Sequence, residues 1–459
     1  MPISPEFRPS TAHAELGEAF FDVVAPADFP QAILRHRDDR WAARIGLAGL
    51  TDAEWVDIMA RFEPLPGSHP QPLALRYHGH QFRHYNPDLG DGRGFLFAQM
   101  HDLQDGRLLD LGTKGSGQTP WSRTADGRLT LKGGVREVLA TEMLEAQGVY
   151  TSKSLSLVET GEKLVRHDEP SPTRGAVLVR LNHGHIRIGS FQRQAALGDT
   201  DALSRLLEYA VRTYIPEAAE ADEAGPAVAF LRAVVARVAR MGAQWMAAGF
   251  VHGVLNTDNI NITGESFDYG PWRWLPTYDP AFTAAYFDES GLYSYGRQPE
   301  ALQWNLTRLA ECLLPLADKD GLIDALSGFV PAFRREYDAA TIRRLGVPGA
   351  GTEADAILAK AWWVALAESQ MPFERAFFRA FGGELDASFG ENFAPVRAIL
   401  ADRPRPGRPD HAYFHLPAPC TVLIDEVEEL WAPIAAEDDW SALHQKITAI
   451  RQMGAALGG

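Results

Sequence analysis

The sequence has little cysteine and no long uncharged apolar run, and each absence excludes a class of protein. Cys312 and Cys420 are the only cysteines, and they form neither a CxxC pair nor a zinc-binding spacing, so a disulfide framework and a structural zinc site are excluded. The most apolar long stretch, residues 227–250, is interrupted by three arginines. It therefore predicts an amphipathic helix, and we expect no membrane partner.

Basic residues are also in the minority. Lys and Arg number 44 against 60 Asp and Glu, for a net charge of −16. This balance argues against nucleic acid as a partner, although a nucleotide needs only a few local cations. The first residues, MPISPEFRPS, lack the basic-then-apolar layout of a signal peptide, so we expect a cytoplasmic protein. A chain of 459 residues exceeds one ordinary core, and two lobes or domains are expected.

The polar residues that suggest a catalytic site are concentrated in residues 251–270, VHGVLNTDNINITGESFDYG. Kinase-type enzymes need a catalytic Asp, a metal-binding Asn and an Asp-x-Gly whose Asp holds magnesium. Asn259 and Asp268 fall at the two metal positions, but Val254 occupies the usual base position and cannot accept a proton. A carboxylate, Asp258, lies beside Asn259 instead. The alternative is a polar turn with capping side chains.

Two upstream features fit a nucleotide site. Gly90, Gly92 and Arg93 lie in a glycine-rich turn before an apolar strand, which would bring backbone N–H groups to phosphates, although a hairpin turn looks the same. Lys114 ends another strand and Glu137 lies in the first turn of the next helix. A strand lysine fixed by a helix glutamate holds a phosphate in kinase-like folds, whereas the alternative is two unrelated surface charges.

The coarse organisation follows from these patterns. Residues 1–70 read as an N-terminal extension with short helices around 18–24 and 52–62, residues 71–196 as a β-rich lobe, and residues 197–459 as a mainly helical lobe. Arg180 and Arg187 are predicted on adjacent strands across a His-Gly turn, where two guanidiniums suit a polyphosphate; two arginines on a solvated sheet face are the alternative. The expected fold is α+β, two-lobed and protein-kinase-like.

Several unusual motifs in order resemble one family. The motifs LRYHGHQF, YNPDLGDGRG, TKGSGQTPWSRTADGR, VREVLATEML, VLVRLNHGHIRIGSF and HGVLNTDNINI, with the later DYGPW and YDPAF, are similar to those of the selenoprotein O (YdiU-type) family. Its members are protein adenylyltransferases on a pseudokinase fold. The resemblance covers residues 75 to about 310 and is looser outside that span.

The resemblance implies that ATP binds inverted and that AMP moves to a protein Ser, Thr or Tyr hydroxyl, in a protein that we expect to be monomeric. It implies Asp258 as proton acceptor and Asn259 and Asp268 as ligands of Mg2+ or, alternatively, Mn2+. The implied nucleotide contacts are Lys114 paired with Glu137, the cations Arg93, Arg180 and Arg187, the metal ligand Asp268, and the lining residues Gly90, Gly92, Asp126 and Gly127.

Two departures from the family pattern and three other activities bear on this reading. Lys114 lies in LGTKGSGQTPW, whereas a more hydrophobic approach to the lysine and a Tyr in place of Trp121 are expected in the family. Many members carry a redox-active cysteine or selenocysteine near the end, whereas the last cysteine here is Cys420, so we expect no redox control of that kind. UMP transfer with Mn2+ stays open. Val254 argues against ordinary phosphorylation, and the intact metal side argues against a catalytically dead nucleotide-binding scaffold.

Overall fold

A computed structural model describes residues 3–167, 169–220 and 225–458. These residues form a large antiparallel sheet and many helices, so the predicted α+β class is confirmed. The strands are β1 Pro9–Ser10, β2 Phe21–Val23, β3 Ile33–Arg37, β4 Leu73–Leu75, β5 Gly79–Gln81, β6 His84–Asn86, β7 Leu96–His101, β8 Leu108–Lys114, β9 Leu129–Thr130, β10 Lys153–Leu164, β11 Thr173–Asn182, β12 Phe250–Val251 and β13 Arg273–Trp274.

The α-helices are α1 Asp39–Arg44, α2 Asp52–Met59, α3 Leu131–Ala146, α4 Ile188–Leu197, α5 Thr200–Tyr214, α6 Pro226–Ala248, α7 Gln298–Leu313, α8 Lys319–Ser327, α9 Phe329–Arg344, α10 Thr352–Ser369, α11 Phe373–Ala380, α12 Ala394–Ala401, α13 Ile424–Glu437 and α14 Ser441–Ala456. Short 3-10 helices occupy Ala12–Leu16, Pro216–Glu220, Thr257–Asn259, Tyr295–Arg297, Ala387–Phe389, Glu391–Phe393 and Ala412–His415. Within the described part of the chain, no helix combines the length and the apolar character needed to span a bilayer.

The main sheet has the strand order β2-β4-β7-β8-β11-β10-β3, with β1 added to β7 and β9 to β11. Side chains alternate between the two faces because the strand period is two. On β11, Val177 and Val179 join the core under α1 and α2, whereas Leu178 joins the core that contains α3. Arg180 is two residues beyond Leu178, so β11 directs it to the α3 face of the sheet.

Helix α3 lies unusually close to the sheet and is covered from outside by α14. A Cβ on Gly134 would lie 2.4 Å from Cδ1 of the buried Leu157 on β10, so a larger residue here would force the leucine to shift. On the opposite side, a Cβ on Gly454 would lie 3.1 Å from Cα of Ala146. The Arg451 guanidinium of α14 donates from Nε to Glu142 of α3 at 2.9 Å, across 309 residues of sequence. Helix α3 is thus held between the sheet and α14.

The first seventy residues contribute to the same sheet. The helix predicted around residues 52–62 is present as α2, which begins at a capping box of Thr51 and Glu54. The helix predicted around residues 18–24 is wrong, because Phe21–Val23 pairs with β4 as a strand and places Phe21 opposite Leu75. Pairing with a sheet edge overrides the local apolar spacing there.

The segment that carries Arg187 also differs from its prediction. Strand β11 ends at Asn182, and Gly184 turns the chain at φ 82. The backbone N–H of Arg187 donates to Oγ of Ser190 at 3.3 Å, and α4 begins at Ile188. The prediction that Arg180 and Arg187 lie on adjacent strands is therefore wrong, because the capped start of α4 replaces the second strand.

Truncation of Leu157 tests the packing of α3 on the sheet. Leu157 is fully buried, so Leu157→Ala leaves a cavity beneath Gly134 and is expected to lower the free energy of unfolding by about 2–5 kcal/mol. Chemical denaturation measures the change. Val165→Ala, at a side chain that is 70% exposed, is the control and should stay within about 0.5 kcal/mol. A loss for Leu157→Ala as small as that of the control would contradict this packing.

Candidate active site

Four charged side chains meet at the α3 face of the sheet. Nζ of Lys114 contacts the carboxylate of Glu137 and donates to Oδ1 of Asp268 at 2.7 Å. Nη1 of Arg180 donates to the same Oδ1 at 3.1 Å. Lys114 and Glu137 are 4% and 1% exposed, so the pair is removed from solvent. The cluster brings two buried cations and the buried Glu137 carboxylate together with Asp268, which is partly exposed.

Strand register explains why these side chains converge. In the antiparallel pair of β8 and β11, Lys114 lies opposite Leu178 and Gly112 opposite Arg180. Directly opposite residues share a face, so Lys114 and Arg180 point to the same side of the sheet as diagonal neighbours. Glu137 reaches that side from the buried face of α3. The sheet and the helix therefore fix the lysine and the glutamate before any ligand binds.

Asp268 is held in an uncommon backbone conformation. Its φ of 62° lies in the left-handed region, which a non-glycine residue adopts only when its neighbours fix it. His252 Nε2 donates to the carbonyl of Phe267 at 3.0 Å, and the hydroxyl of Tyr269 donates to Ser266 Oγ at 2.7 Å. Burial opposes ionisation of Asp268, but Lys114, Arg180 and Arg93 outweigh it and hold its pKa well below the usual range.

Asp258 lies in the 3-10 turn Thr257–Asn259, which is tied to two other elements. The backbone N–H of His80 on β5 donates to Oγ1 of Thr257 at 2.7 Å, and that hydroxyl donates to Oε1 of Gln192 on α4 at 2.5 Å. Asp258 Oδ1 is buried and has no hydrogen-bond partner among the described residues. Burial raises the pKa of Asp258 to about 6, although Arg187 partly offsets this effect. A carboxylate of this kind can accept a proton near neutral pH.

Arg187 joins the turn to the glycine-rich segment. It is 3% exposed, and its Nη1 donates to the backbone carbonyl of Asp258 at 3.4 Å while its Nη2 lies 3.4 Å from Oδ1 of Asp91. Its guanidinium lies 4.0 Å from the centroid of the Tyr77 ring. Sequence reasoning missed Tyr77 and Asp91 as site residues. Both lie within the quoted motifs LRYHGHQF and YNPDLGDGRG, and a carboxylate beside a phosphate-type turn was the available signal.

These groups surround a cavity of about 340 Å³. The glycine-rich segment forms one wall and packs against Trp121: a Cβ on Gly90 would lie 2.3 Å from Cγ of the indole, and one on Gly92 would lie 2.8 Å from the Trp121 carbonyl oxygen. Glycine is required at both positions by this close approach. The lining residues that carry the site are Tyr77, Gly90, Asp91, Gly92, Arg93, Lys114, Trp121, Arg123, Arg180, Arg187, Asp258 and Asp268.

Comparison of the sequence with known proteins identifies the family. The family described as "Protein adenylyltransferase SelO" matches residues 5–401. The chain belongs to this family. It is similar to a "Protein nucleotidyltransferase YdiU" of Synechocystis sp. (strain ATCC 27184 / PCC 6803 / Kazusa), with 51% identity over 335 residues, 72% of this chain and 69% of the relative. A relative of the same name from Gloeobacter violaceus is 42% identical over 466 residues, 96% of this chain and 94% of the relative. The predicted family and the nucleotidyltransferase class of enzyme are thereby confirmed.

Not every residue implied by the family motifs lies in the charged cluster. Gly127 takes a left-handed turn at φ 69, and Asp126 beside it is exposed. The carboxylate of Asp126 pairs with Arg166 at 2.7 Å and accepts the backbone N–H of Arg128 at 3.0 Å. Neither residue lines the cavity, although Ala125, which precedes Asp126, does. Their contact with a nucleotide stays a prediction.

The oxygen donors present fit a hard divalent cation. Nδ2 of Asn259 donates to the carbonyl of Val254 at 3.0 Å, which leaves the amide oxygen as the atom able to bind a metal. The Asp268 carboxylate and the unpartnered Oδ1 of Asp258 supply oxygen of the type that Mg2+ or Mn2+ prefers. A second acidic group, Asp38 with Glu142 and Glu145, pairs with Arg40 and Arg451 and is not among the residues that line this cavity. The family motif names Asn259 and Asp268 as the metal ligands, and both side chains offer an oxygen of this kind; metal binding by them stays a prediction.

A buried carboxyl just before Asp268 predicts a pH-dependent stability. Glu265 accepts the backbone N–H of His183 at 2.8 Å, yet burial raises its pKa to about 7 from an ordinary 4.5. The folded state therefore binds this proton more tightly than the unfolded state. The stabilisation is fully present below pH 4.5 and is lost as the pH rises through 7, a change of about 3 kcal/mol.

Glu265→Gln should remove that pH dependence. The difference in unfolding free energy between the variant and the natural protein is expected to shift by about 3 kcal/mol in favour of the variant between mildly acidic and mildly alkaline buffer. Urea denaturation at both pH values measures it. Glu208→Gln, at an exposed site on α5, is the matched control. A pH-independent difference for Glu265→Gln would show that the carboxyl is ionised throughout.

Proposed function

We propose that the protein transfers AMP from ATP to Ser, Thr or Tyr hydroxyls of other proteins. The observation that carries this proposal is the proton acceptor. Val254 stands at the usual position of the kinase base, whereas Asp258 directly precedes Asn259 and its buried Oδ1 has no hydrogen-bond partner within the described residues. A site with that acceptor and a deep set of cations suits a triphosphate held in a reversed direction, with its α-phosphate toward the acceptor.

A kinase-like arrangement of the chain supports this proposal. The strand lysine Lys114 pairs with the helix glutamate Glu137, and an Asp-x-Gly segment follows the turn of Asp258 and Asn259 in the chain. In phosphoryl-transfer enzymes of this type the lysine meets the nucleotide phosphates and the Asp-x-Gly carboxylate meets the metal. We therefore infer a two-lobed pseudokinase fold, with residues 71–196 and 197–459 on the two sides of the nucleotide.

The distribution of charge supports the reversed nucleotide. Lys114, Arg180 and Arg187 are each less than 9% exposed and line the inner part of the cavity, so the β- and γ-phosphates would be neutralised there. Arg93 extends the same positive lining toward the opening. Fixed cations in a water-poor site stabilise developing phosphate charge without reorganisation. The adenosine would then lie outward, near Asp126 and Gly127.

The chemical step follows from these positions. Asp258 accepts the proton of the acceptor hydroxyl, and the hydroxyl oxygen forms a bond to the α-phosphorus. The bond from that phosphorus to the α,β-bridging oxygen breaks, and pyrophosphate leaves with its charge held by Lys114, Arg180 and Arg187. When bound, a divalent cation held by Asn259 and Asp268 would polarise the phosphate oxygens. The products are AMP-modified protein and pyrophosphate.

The names of the relatives do not specify which nucleotide is transferred. The Synechocystis and Gloeobacter proteins are named protein nucleotidyltransferases, and the family description specifies adenylyl transfer. Because the family description specifies adenylyl transfer, we propose ATP as the nucleotide substrate. UMP transfer with Mn2+ is the second candidate, because the oxygen donors of Asn259 and Asp268 suit Mn2+ as well as Mg2+.

Labelled nucleotides test the reaction class. The protein is incubated with Mg2+ and ATP labelled on either the α- or the γ-phosphate, and label bound to protein is counted. We expect label from the α position only, because AMP moves and pyrophosphate leaves. Label from the γ position alone would mean a kinase, and neither label with tight ATP binding would mean a scaffold. UTP with Mn2+ in the same assay compares the second candidate.

Replacement of the acceptor tests the role of Asp258. Asp258→Asn keeps the shape but cannot take a proton, so the rate of α-label transfer should fall about 100- to 10,000-fold. The dissociation constant for ATP should stay within about threefold, measured by calorimetry. Asp201→Asn, at an exposed site on α5, serves as the control. Full activity in Asp258→Asn would remove the residue from this role.

A further inference from the structure

A second cavity of about 480 Å³ adjoins the active-site cavity and shares Arg93 and Lys114 with it. It is a groove between α3, the segment after Asp268 and the start of α13. Although the whole chain carries a net charge of −16, seven lining residues are cations. These are Arg93, Lys114, Arg128, Lys132, Arg136, Arg166 and Arg273. The concentration of positive charge is local and opposes the balance of the chain.

Carboxylates within the protein neutralise part of this charge. Arg128 pairs with Glu162 at 2.7 Å, Lys132 with Glu428 at 2.6 Å, and Arg166 with Asp126 at 2.7 Å. Arg136 and Arg273 differ from these three. Neither has a carboxylate oxygen within 4.0 Å among residues 3–167, 169–220 and 225–458. Arg93 also lacks one, so three cations of the groove have no acidic partner in the described protein, and Arg136 and Arg273 are the two outside the active-site cavity.

The two arginines are held side by side. Nη2 of Arg136 and Nη1 of Arg273 both donate to the backbone carbonyl of Trp272, at 3.2 and 2.8 Å. The Arg136 guanidinium also lies 4.7 Å from the centroid of the buried Trp272 ring. Burial and then the nearby Arg273 lower the pKa of Arg136 to about 10. Each guanidinium carries five N–H donors, so most of them stay available to a bidentate oxyanion.

Two exposed aromatic side chains line the same groove. Tyr286 is 83% exposed and Phe287 is 47% exposed, and large hydrophobic side chains of this exposure often mark a binding surface. The Phe287 ring lies edge-on to Phe82, with centroids 5.8 Å apart. The backbone N–H of Phe82 donates to Oδ1 of Asn256, two residues before Asp258. Phe287 and Phe82 thus connect the groove to the turn that holds the proposed base, Asp258.

We propose that this groove docks an acidic segment of the protein substrate, with its carboxylates on Arg136 and Arg273 and its chain across Tyr286 and Phe287. The inference rests on the proposed function, because it places the acceptor hydroxyl beside Asp258. A polypeptide fits better than a nucleic acid. Four of the groove's other cations are already paired, and the charge of −16 opposes a regular polyphosphate chain.

Synthetic polypeptides test the docking surface. One fluorescent polypeptide carries glutamates on both sides of a single tyrosine, and its twin carries glutamines instead. Anisotropy measures binding to the full chain, and α-labelled ATP measures KM and kcat for each polypeptide. We expect the acidic polypeptide to bind about tenfold more tightly and to show a correspondingly lower KM, with similar kcat.

Variants assign the preference to the groove. Arg273→Gln should reduce the acidic-to-neutral ratio at least about threefold and leave the KM for ATP unchanged; Arg136→Gln should act in the same direction. Arg205→Gln, at an exposed arginine on α5, is the matched control and should keep the full ratio. The far-ultraviolet circular dichroism spectrum of each variant verifies folding.

Three outcomes would overturn the proposal. These are equal affinity for the two polypeptides, a preference that persists in the Arg136→Gln, Arg273→Gln double variant, and tighter Arg273-dependent binding of a single-stranded RNA oligonucleotide. Failure of the proposed function is distinguishable. If neither polypeptide is modified but the acidic one still binds through Arg273, the transfer reaction fails and the docking surface stands. If both polypeptides are modified with the same KM, the transfer reaction stands and the docking surface fails.

Discussion

The buried contact of Lys114 with Glu137 and Asp268 is the constraint on which the site depends. Burying the Lys114 ammonium and the Glu137 carboxylate beside the partly exposed Asp268 is costly, and the cost is offset only when the groups meet with good geometry. The register of β8 against β11, the approach of α3 through Gly134 and the left-handed backbone of Asp268 all serve that geometry. Lys114, Arg180 and Arg187 line the cavity beside this contact, and they are the buried cations that we propose for the nucleotide phosphates.

Much of the site could be predicted from sequence because its residues carry the chemistry on short, recognisable segments. Lys114, Glu137, Asp258 and Asp268 lie in motifs whose residue types suit only a few roles. Tyr77 and Asp91 were missed because their part depends on Arg187, which reaches them from the start of α4. A contact across about a hundred residues leaves no local periodicity to detect.

The fold was less predictable at the places where pairing partners are remote. Residues 21–23 form a strand because β4 offers an edge, although their local pattern suits a helix. The chain after Asn182 turns into α4 because Ser190 caps it and the backbone of Arg187 bridges to Asn261. In both cases tertiary contacts decide between local conformations of similar energy.

The packing of α14 on α3 bears on the order in which the protein matures. During synthesis the helix that carries Glu137 leaves the ribosome long before Arg451 and Gly454 exist to cover its outer side. Until then Glu142 has Arg40 but not Arg451 as a guanidinium partner, and the outer side of the helix is without the cover of α14. A chain that has not yet formed α14 therefore holds Glu137, and with it the Lys114 ammonium, less firmly than the complete fold does.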